Sequence, residues 1–154
     1  MNIQNTIDAF NSLVIINNDR IEGYKKANKE TNDDKLKVLF LELLNTSVIC
    51  KNELVSEIIL LNGEPDNCTN ITGKFFRIWM GIKSTLTRND RKAILDSCIF
   101  GEDAALKTYK NVLIQDYHDT NSREQKMLND HYALLKLDYD KLKNMQDLIS
   151  NKNN

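Results

Sequence analysis

An all-α, ferritin-like four-helix bundle is the fold the sequence predicts, and three observations predict it. Four long stretches repeat apolar residues at alternating three- and four-residue steps, which places them on one stripe of a helix. One Pro and five Gly leave too few turn formers for a chain built on β-hairpins. The capping and stop signals fall between the four stretches and not inside them.

The first helix is expected from Ile3 to Lys29, with Ile3, Ile7, Phe10, Val14, Asn17, Ile21 and Tyr24 on its stripe. Thr31-Asn32-Asp33-Asp34 then makes a short turn and an acidic N-cap, so the first two helices form an antiparallel hairpin. The second helix is expected from Asp33 to Leu61, with Leu36, Phe40, Leu43, Ser47, Cys50, Leu54, Ile58 and Leu61 inward. Val38, Leu39, Leu41, Leu44, Ile49, Val55 and Ile59 lie outside that stripe and widen its apolar arc beyond what one bundle seam fills. Asn62-Gly63 and Pro65 stop the helix.

A shorter helix is expected from Lys74 to Thr87, with Phe75, Phe76, Trp79, Ile82 and Leu86, crossing back over the second helix. Asp90 restarts the chain as a third long helix to Gln115, on which Leu95, Ile99, Glu102, Leu106, Tyr109 and Leu113 share a stripe. The polar run Asp116 to Asn121 turns it, and Ser122-Arg123-Glu124-Gln125 opens the fourth helix as a capping box. That helix is expected to reach Ile149, with Leu128, His131, Leu135, Asp138, Leu142, Met145 and Ile149 inward. Two hairpins joined by one long crossover make the ferritin-like variety of bundle. One domain is expected over 1–150, with 151–154 as a frayed tail.

The balance of 21 Lys plus Arg against 22 Asp plus Glu, with a pI near 6.1, argues against nucleic acid as a partner. The start, Met1-Asn2-Ile3-Gln4, has no basic and apolar leader, and charged residues cut the later apolar runs, so a soluble cytoplasmic protein with no membrane segment is expected. Cys50, Cys68 and Cys98 are odd in number and contain no C-x-x-C pair, which speaks against a disulfide framework or a zinc clip. Cys50 and Cys98 are expected as small buried residues and Cys68 in a polar loop.

Glu102 on an apolar stripe is the feature that bears on function. A carboxylate facing inward must be paired, bound to metal or protonated. Counted along the helices, Asn17, Ser47 and Glu102 fall at one level, roughly 20 Å from the end that holds the first turn, with His131 and Asp138 about one turn to either side. A mid-height belt of Asn17, Ser47, Glu102, His131 and Asp138 is therefore expected, with Cys50 beside it.

In ferritin-like di-iron proteins such a belt holds one Glu from each of two helices and a Glu-x-x-His pair from each of the others. Here the first helix offers Asn17, with Glu22 more than a turn away. The second offers Ser47-x-x-Cys50, and the fourth offers His131 preceded three residues earlier by Leu128. Most of the two-metal ligand set is missing. Two uses of the belt stay open: Glu102, His131 and Asp138 holding one divalent Fe, Mn or Zn ion with water, or a hydrogen-bonded structural network. In the network Glu102 pairs with His131 or a Lys, Asn17 fixes register, and Tyr24 and Tyr109 donate their hydroxyls. No cofactor is expected. Gly23 and Gly101, both in mid-helix, call for close approach of a large side chain, with Trp79 or another aromatic expected against one of them.

Asn18-Asp19-Arg20-Ile21-Glu22-Gly23-Tyr24, Leu61-Asn62-Gly63-Glu64-Pro65, Trp79-Met80 with Lys83, Cys98, and Gly101-Glu102-Asp103-Ala104 with Lys107 and Tyr109 give the chain a resemblance. It resembles a bacterial family of stress-associated four-helix-bundle proteins of unknown function, classed as ferritin-like. The resemblance covers nearly the whole chain, and the Gly-Glu-Asp-Ala element with its downstream Tyr is its most specific part. It implies the fold and brings no catalytic or metal-binding residues with it; Asp19, Glu102 and Asp103 are motif positions. The expected role is a non-enzymatic accessory or stress-related protein that self-associates, as a dimer, or binds a protein partner. The alternative is a metal-binding redox or storage protein using the belt.

Overall fold

The computed structural model describes residues 3–67, 90–115 and 121–152. Four helices make up nearly all of it: α1 (Ile3–Glu30), α2 (Asp34–Leu60), α3 (Arg91–Gln115) and α4 (Ser122–Lys152). The fold is the expected all-α four-helix bundle. The crossover helix expected over 74–87, with Trp79 and its contact to Gly23 or Gly101, lies outside the described residues, as does Cys68.

Capping side chains set the helix ends. Asp33 has extended backbone and accepts from the amides of Lys35 and Leu36, so it caps α2 and is not part of it. Asp90 accepts from the amide of Ala93 at 3.1 Å and starts α3 in the same way. At α4 the cap is Asn121, one residue before the expected Ser122. Asn121 accepts from the amide of Glu124, and the Glu124 carboxylate accepts from the amide of Asn121, a reciprocal capping box. At the far end of α2 the amide of Gly63 donates to the carbonyl of Ile58 and that of Asn62 to Ile59, both at 2.9 Å, with Asn62 left-handed at φ 61°. These are the two bonds of a Schellman motif. Gly63 also lies against Ile7, and a Cβ there would come within 2.9 Å of that side chain. Gly63 thus closely approaches a large side chain in this turn.

Contacts between helices fix the topology. Arg91 pairs with Asp33, which puts the start of α3 beside the α1–α2 turn. Glu57, Glu53 and Glu42 of α2 meet Arg123, His131 and Lys141 of α4, so these helices run antiparallel. Arg20 and Asn17 of α1 meet Glu102 and Tyr109 of α3 in the same sense. Every neighbouring pair is antiparallel, and the end of α2 and the start of α3 therefore lie at opposite ends of the bundle.

The core is two apolar clusters with a polar storey between them. One joins Ile7, Phe10, Leu13 and Val14 to Leu54, Ile58, Leu106, Val112, Leu128 and Leu135. The other joins Tyr24 and Ala27 to Leu36, Phe40, Leu43, Ile94, Leu95 and Leu142. The stripe expected on α2 is buried throughout except at half-buried Leu61, and Leu39, expected outside it, belongs to the core as well. On α1 the expectation needs correction at two positions. Ile3 is exposed, and Arg20 is buried while Ile21 is only half-buried.

Candidate functional site

The polar storey is built from all four helices. Asn17, Arg20, Ser47, Glu102, His131 and Asp138 are all buried, and Cys50 and Tyr109 are buried beside them. The expected belt therefore exists, but a residue that was not among its expected members stands at its centre. Arg20 Nε donates to Glu102 Oε1 at 3.0 Å and Nη2 to Oε2 at 2.9 Å, a two-pronged clamp on the carboxylate. The Tyr24 hydroxyl donates to the same Oε1 at 2.5 Å. Glu102 is thus paired with an Arg from α1, where His131 or a Lys was expected.

From Arg20 the network runs toward the surface, and donor and acceptor roles fix its direction. Arg20 can only donate, so its bond from Nη1 at 3.1 Å identifies the Asn17 oxygen and leaves the Asn17 NH2 to donate. That NH2 reaches the Leu13 carbonyl and the Tyr109 hydroxyl, both at 2.9 Å. The Tyr109 hydroxyl lies 3.2 Å from His131 Nδ1, which accepts from it because the other ring nitrogen faces the Glu53 carboxylate, an acceptor. The neutral ring then carries its proton on Nε2, which lies 2.6 Å from Glu53 Oε2. The Glu53 side chain is half exposed, so the chain of bonds ends in solvent, at an open groove of about 420 Å³ between α2 and α4. Two charged pairs in that groove, Arg123–Glu57 and Lys126–Asp130, are satisfied by each other.

Electrostatics follow burial. Burial works against the charge of Arg20, and Glu102 more than reverses it, holding the guanidinium above its ordinary range. Burial pushes the phenols of Tyr24 and Tyr109 well above their ordinary range, with Glu102 adding to it at Tyr24 and Cys50 at Tyr109. The Cys50 thiol is lifted to about 11, again mainly by burial, and Cys98 is raised further still. Neither thiol is a nucleophile at neutral pH. Burial lowers His131 below its ordinary value, against the opposing pull of Glu53. Asp138 is raised, chiefly by burial, with Thr46 and Arg20 pulling the other way. Its Oδ2 has no hydrogen-bond partner among the described residues and lies 3.8 Å from Arg20 Nη2.

Glu102, His131 and Asp138, the three expected metal ligands, share the storey but do not converge as a ligand set. Both Glu102 oxygens are taken by Arg20, and both His131 nitrogens by Tyr109 and Glu53. A permanent cation stands between Glu102 and Asp138, and a divalent ion there would meet its repulsion. Among the described residues no group of three or more His, Cys, Asp or Glu side chains is placed to hold a metal ion. These donors do not fit a resident metal. Ser47 turns back to the Leu43 carbonyl of its own helix. Glu22 is exposed, Asp19 half-buried, and Asp103 pairs with Lys107 on the surface at 2.9 Å.

Two members of the network, Arg20 and Glu53, escaped the sequence reading. Arg20 had a signal: Asn17, Arg20 and Tyr24 keep the three-four step as well as Asn17, Ile21 and Tyr24 do. An inward Glu102 also demands a cation, and Arg20 is the nearest one on that stripe. Glu53 carried no signal of its own.

The fold and this storey define a class: an all-α bundle whose mid-height polar residues are bonded to one another. The model of a domain of unknown function (DUF2383) matches residues 5–115, and the chain belongs to that family. The matched stretch runs from α1 to the end of α3, so it holds Asn17, Arg20, Tyr24, Glu53, Glu102 and Tyr109 and stops short of His131 and Asp138. Comparison with curated proteins found no match. Among the described residues no helix is long and apolar enough to cross a membrane.

Proposed function

We propose that this protein is a non-enzymatic, ferritin-like accessory bundle of the bacterial cytoplasm, stress-related in role, that works through contact with protein. The observation that carries this reading is the clamp of Arg20 on Glu102. In a bundle of this topology the inward carboxylates are the groups that would bind and activate a metal. Here the central one is committed to a guanidinium of its own chain, and the thiols nearby are held protonated. The placement of the end of α2 and the start of α3 at opposite ends of the bundle supports the ferritin-like part of the reading. The stress-related and bacterial parts rest on the resemblance of the Gly101-Glu102-Asp103-Ala104 and Asn18 to Tyr24 segments.

The competing reading, a metal-binding redox or storage protein, draws on one observation, the unpartnered Oδ2 of buried Asp138. Elemental analysis of protein purified without chelators separates the two. Iron, manganese and zinc are expected well below stoichiometry, with no rise in Tm when each is added back, because a ligand bound only by the native state must raise it. Stoichiometric metal that disappears in Glu102→Ala would overturn the proposal.

A further inference from the structure

The outer face of α2 carries an apolar stripe that the core uses only at Val55. Val38, Leu41, Val48 and Ile59 are exposed, from 37% at Val48 to 58% at Val38 and Ile59. With Asn45, Asn52 and half-buried Val55 they fall on alternating steps of three and four residues: 38, 41, 45, 48, 52, 55, 59. This stripe lies opposite the buried one of Leu36, Phe40, Leu43, Ser47, Cys50, Leu54 and Ile58, and no charged residue interrupts it. Seven uncharged positions spread over three heptads make a coiled-coil seam that has no second strand among the described residues. The chain leaving α2 does not lie over the seam in its described part. The Asn11 side chain holds it against α1, bonding the Glu64 carbonyl at 3.0 Å and the Asp66 amide at 2.8 Å.

We infer that this seam is the homodimer interface, with α2 packing against α2 of a second copy, parallel and in register about a two-fold axis. The reading rests on the proposal that the protein works through protein contacts, and it names the surface and the partner. Two features of the seam select a second copy in this orientation. Asn45 and Asn52 occupy the same heptad position as Val38 and Ile59, the position at which residues of a parallel in-register pair meet their own equivalents. Each Asn would then face an Asn, whose amide both donates and accepts. In an antiparallel pair each would face an apolar residue of the alternate position, its amide unsatisfied. The flanks agree. In the parallel register Lys37 faces Glu42 of the second copy, an opposite-charge pair, and Leu44 faces Ile49; no like charges oppose each other. Glu42 already meets Lys141 of its own chain at 3.2 Å and remains accessible beside it.

The test uses the full-length chain. Sedimentation should give a dimer, and Val48→Lys, which places like charges across the axis, should weaken it roughly 100-fold while leaving the helical signal intact. In a Cys68→Ser background, Asn45→Cys should form a disulfide-linked dimer under mild oxidation, and Lys110→Cys on the exposed face of α3 should not. A monomer at tens of micromolar, a dimer indifferent to Val48→Lys, or a disulfide formed between Asn45→Cys and Val55→Cys chains but not between two Asn45→Cys chains would each overturn the inference. A monomer would leave the seam to residues 68–89 or to another protein. Failure of the broader functional proposal reads differently, as stoichiometric metal lost in Glu102→Ala with the dimer unaffected.

Discussion

On one side of the mid-height storey Arg20, Glu102 and Tyr24 are closed off, each fully or almost fully buried and bonded within the group. On the other side Tyr109 and His131, equally buried, pass their bonds out to half-exposed Glu53. Both sides answer the cost of burying polar groups, but by different means. The closed side does it with full charges in a tight two-pronged geometry, which makes each partner indispensable to the other. The open side does it with a neutral imidazole, which needs no counter-charge but can take up a proton from solvent. The closed side is where stability is concentrated, and the open side is where pH acts.

Several measurements would break or sharpen this contrast. Arg20→Met should have the largest effect, a loss of about 3–5 kcal/mol in denaturant unfolding, because it leaves Glu102 ionised and alone in the core. A loss under about 1 kcal/mol would mean that the carboxylate finds another partner or a proton at little cost. His131→Leu should cost less, about 1–3 kcal/mol, since it takes the acceptor from the Tyr109 hydroxyl proton and frees Glu53 to solvent without burying a charge. Equal losses at the two sites would erase the distinction between the sides.

The pH profile tests the open side directly. His131 has a lowered value in the folded chain, so between that value and its ordinary 6.5 the unfolded chain binds more protons. Its stabilising effect is therefore whole above about pH 6.5 and falls away as pH drops below it. Urea unfolding from pH 8 to pH 5 should show the decline in the native chain and a flatter profile in His131→Leu. Identical profiles would remove His131 as the cause. Asp138 should give the smallest change and the opposite sign. Its folded value is raised, so the folded chain is stabilised by a proton that it loses as pH rises, and at neutral pH the buried charge is a burden. Asp138→Asn should raise stability at pH 7 by about 1 kcal/mol. A loss of stability there would show that the 3.8 Å contact with Arg20 is worth more than the desolvation it requires.

What the sequence revealed and what it hid divide along the same physical line. Helical period is local, so the inward stripes of α2 and α4, the level shared by Asn17, Ser47, Glu102, His131 and Asp138, and the helix ends to within a few residues were legible. The one-residue error at the α4 cap arose because Asn121 and Ser122 are both good caps and only Asn121 stands three residues before Glu124. Pairing across helices depends on how each helix is rotated about its axis, and periodicity leaves that angle loose by a residue. Arg20 and Ile21 fitted the same stripe, and apolarity favoured the wrong one. Glu53 reaches His131 only because α2 and α4 are rotated so that the imidazole points outward between them. The outer seam of α2 was legible as surplus apolar surface, but its heptad meaning needed the knowledge that those positions face solvent.

Arg20 and Glu102 act as one unit, and a double-mutant cycle of Arg20→Met and Glu102→Leu, read by urea unfolding at pH 7, measures that most directly. Each single change should cost about 3–5 kcal/mol, and the double change should recover most of the loss, because replacing both charges leaves neither one stranded. Losses that simply add, with the double variant as unstable as the sum of the singles, would contradict it.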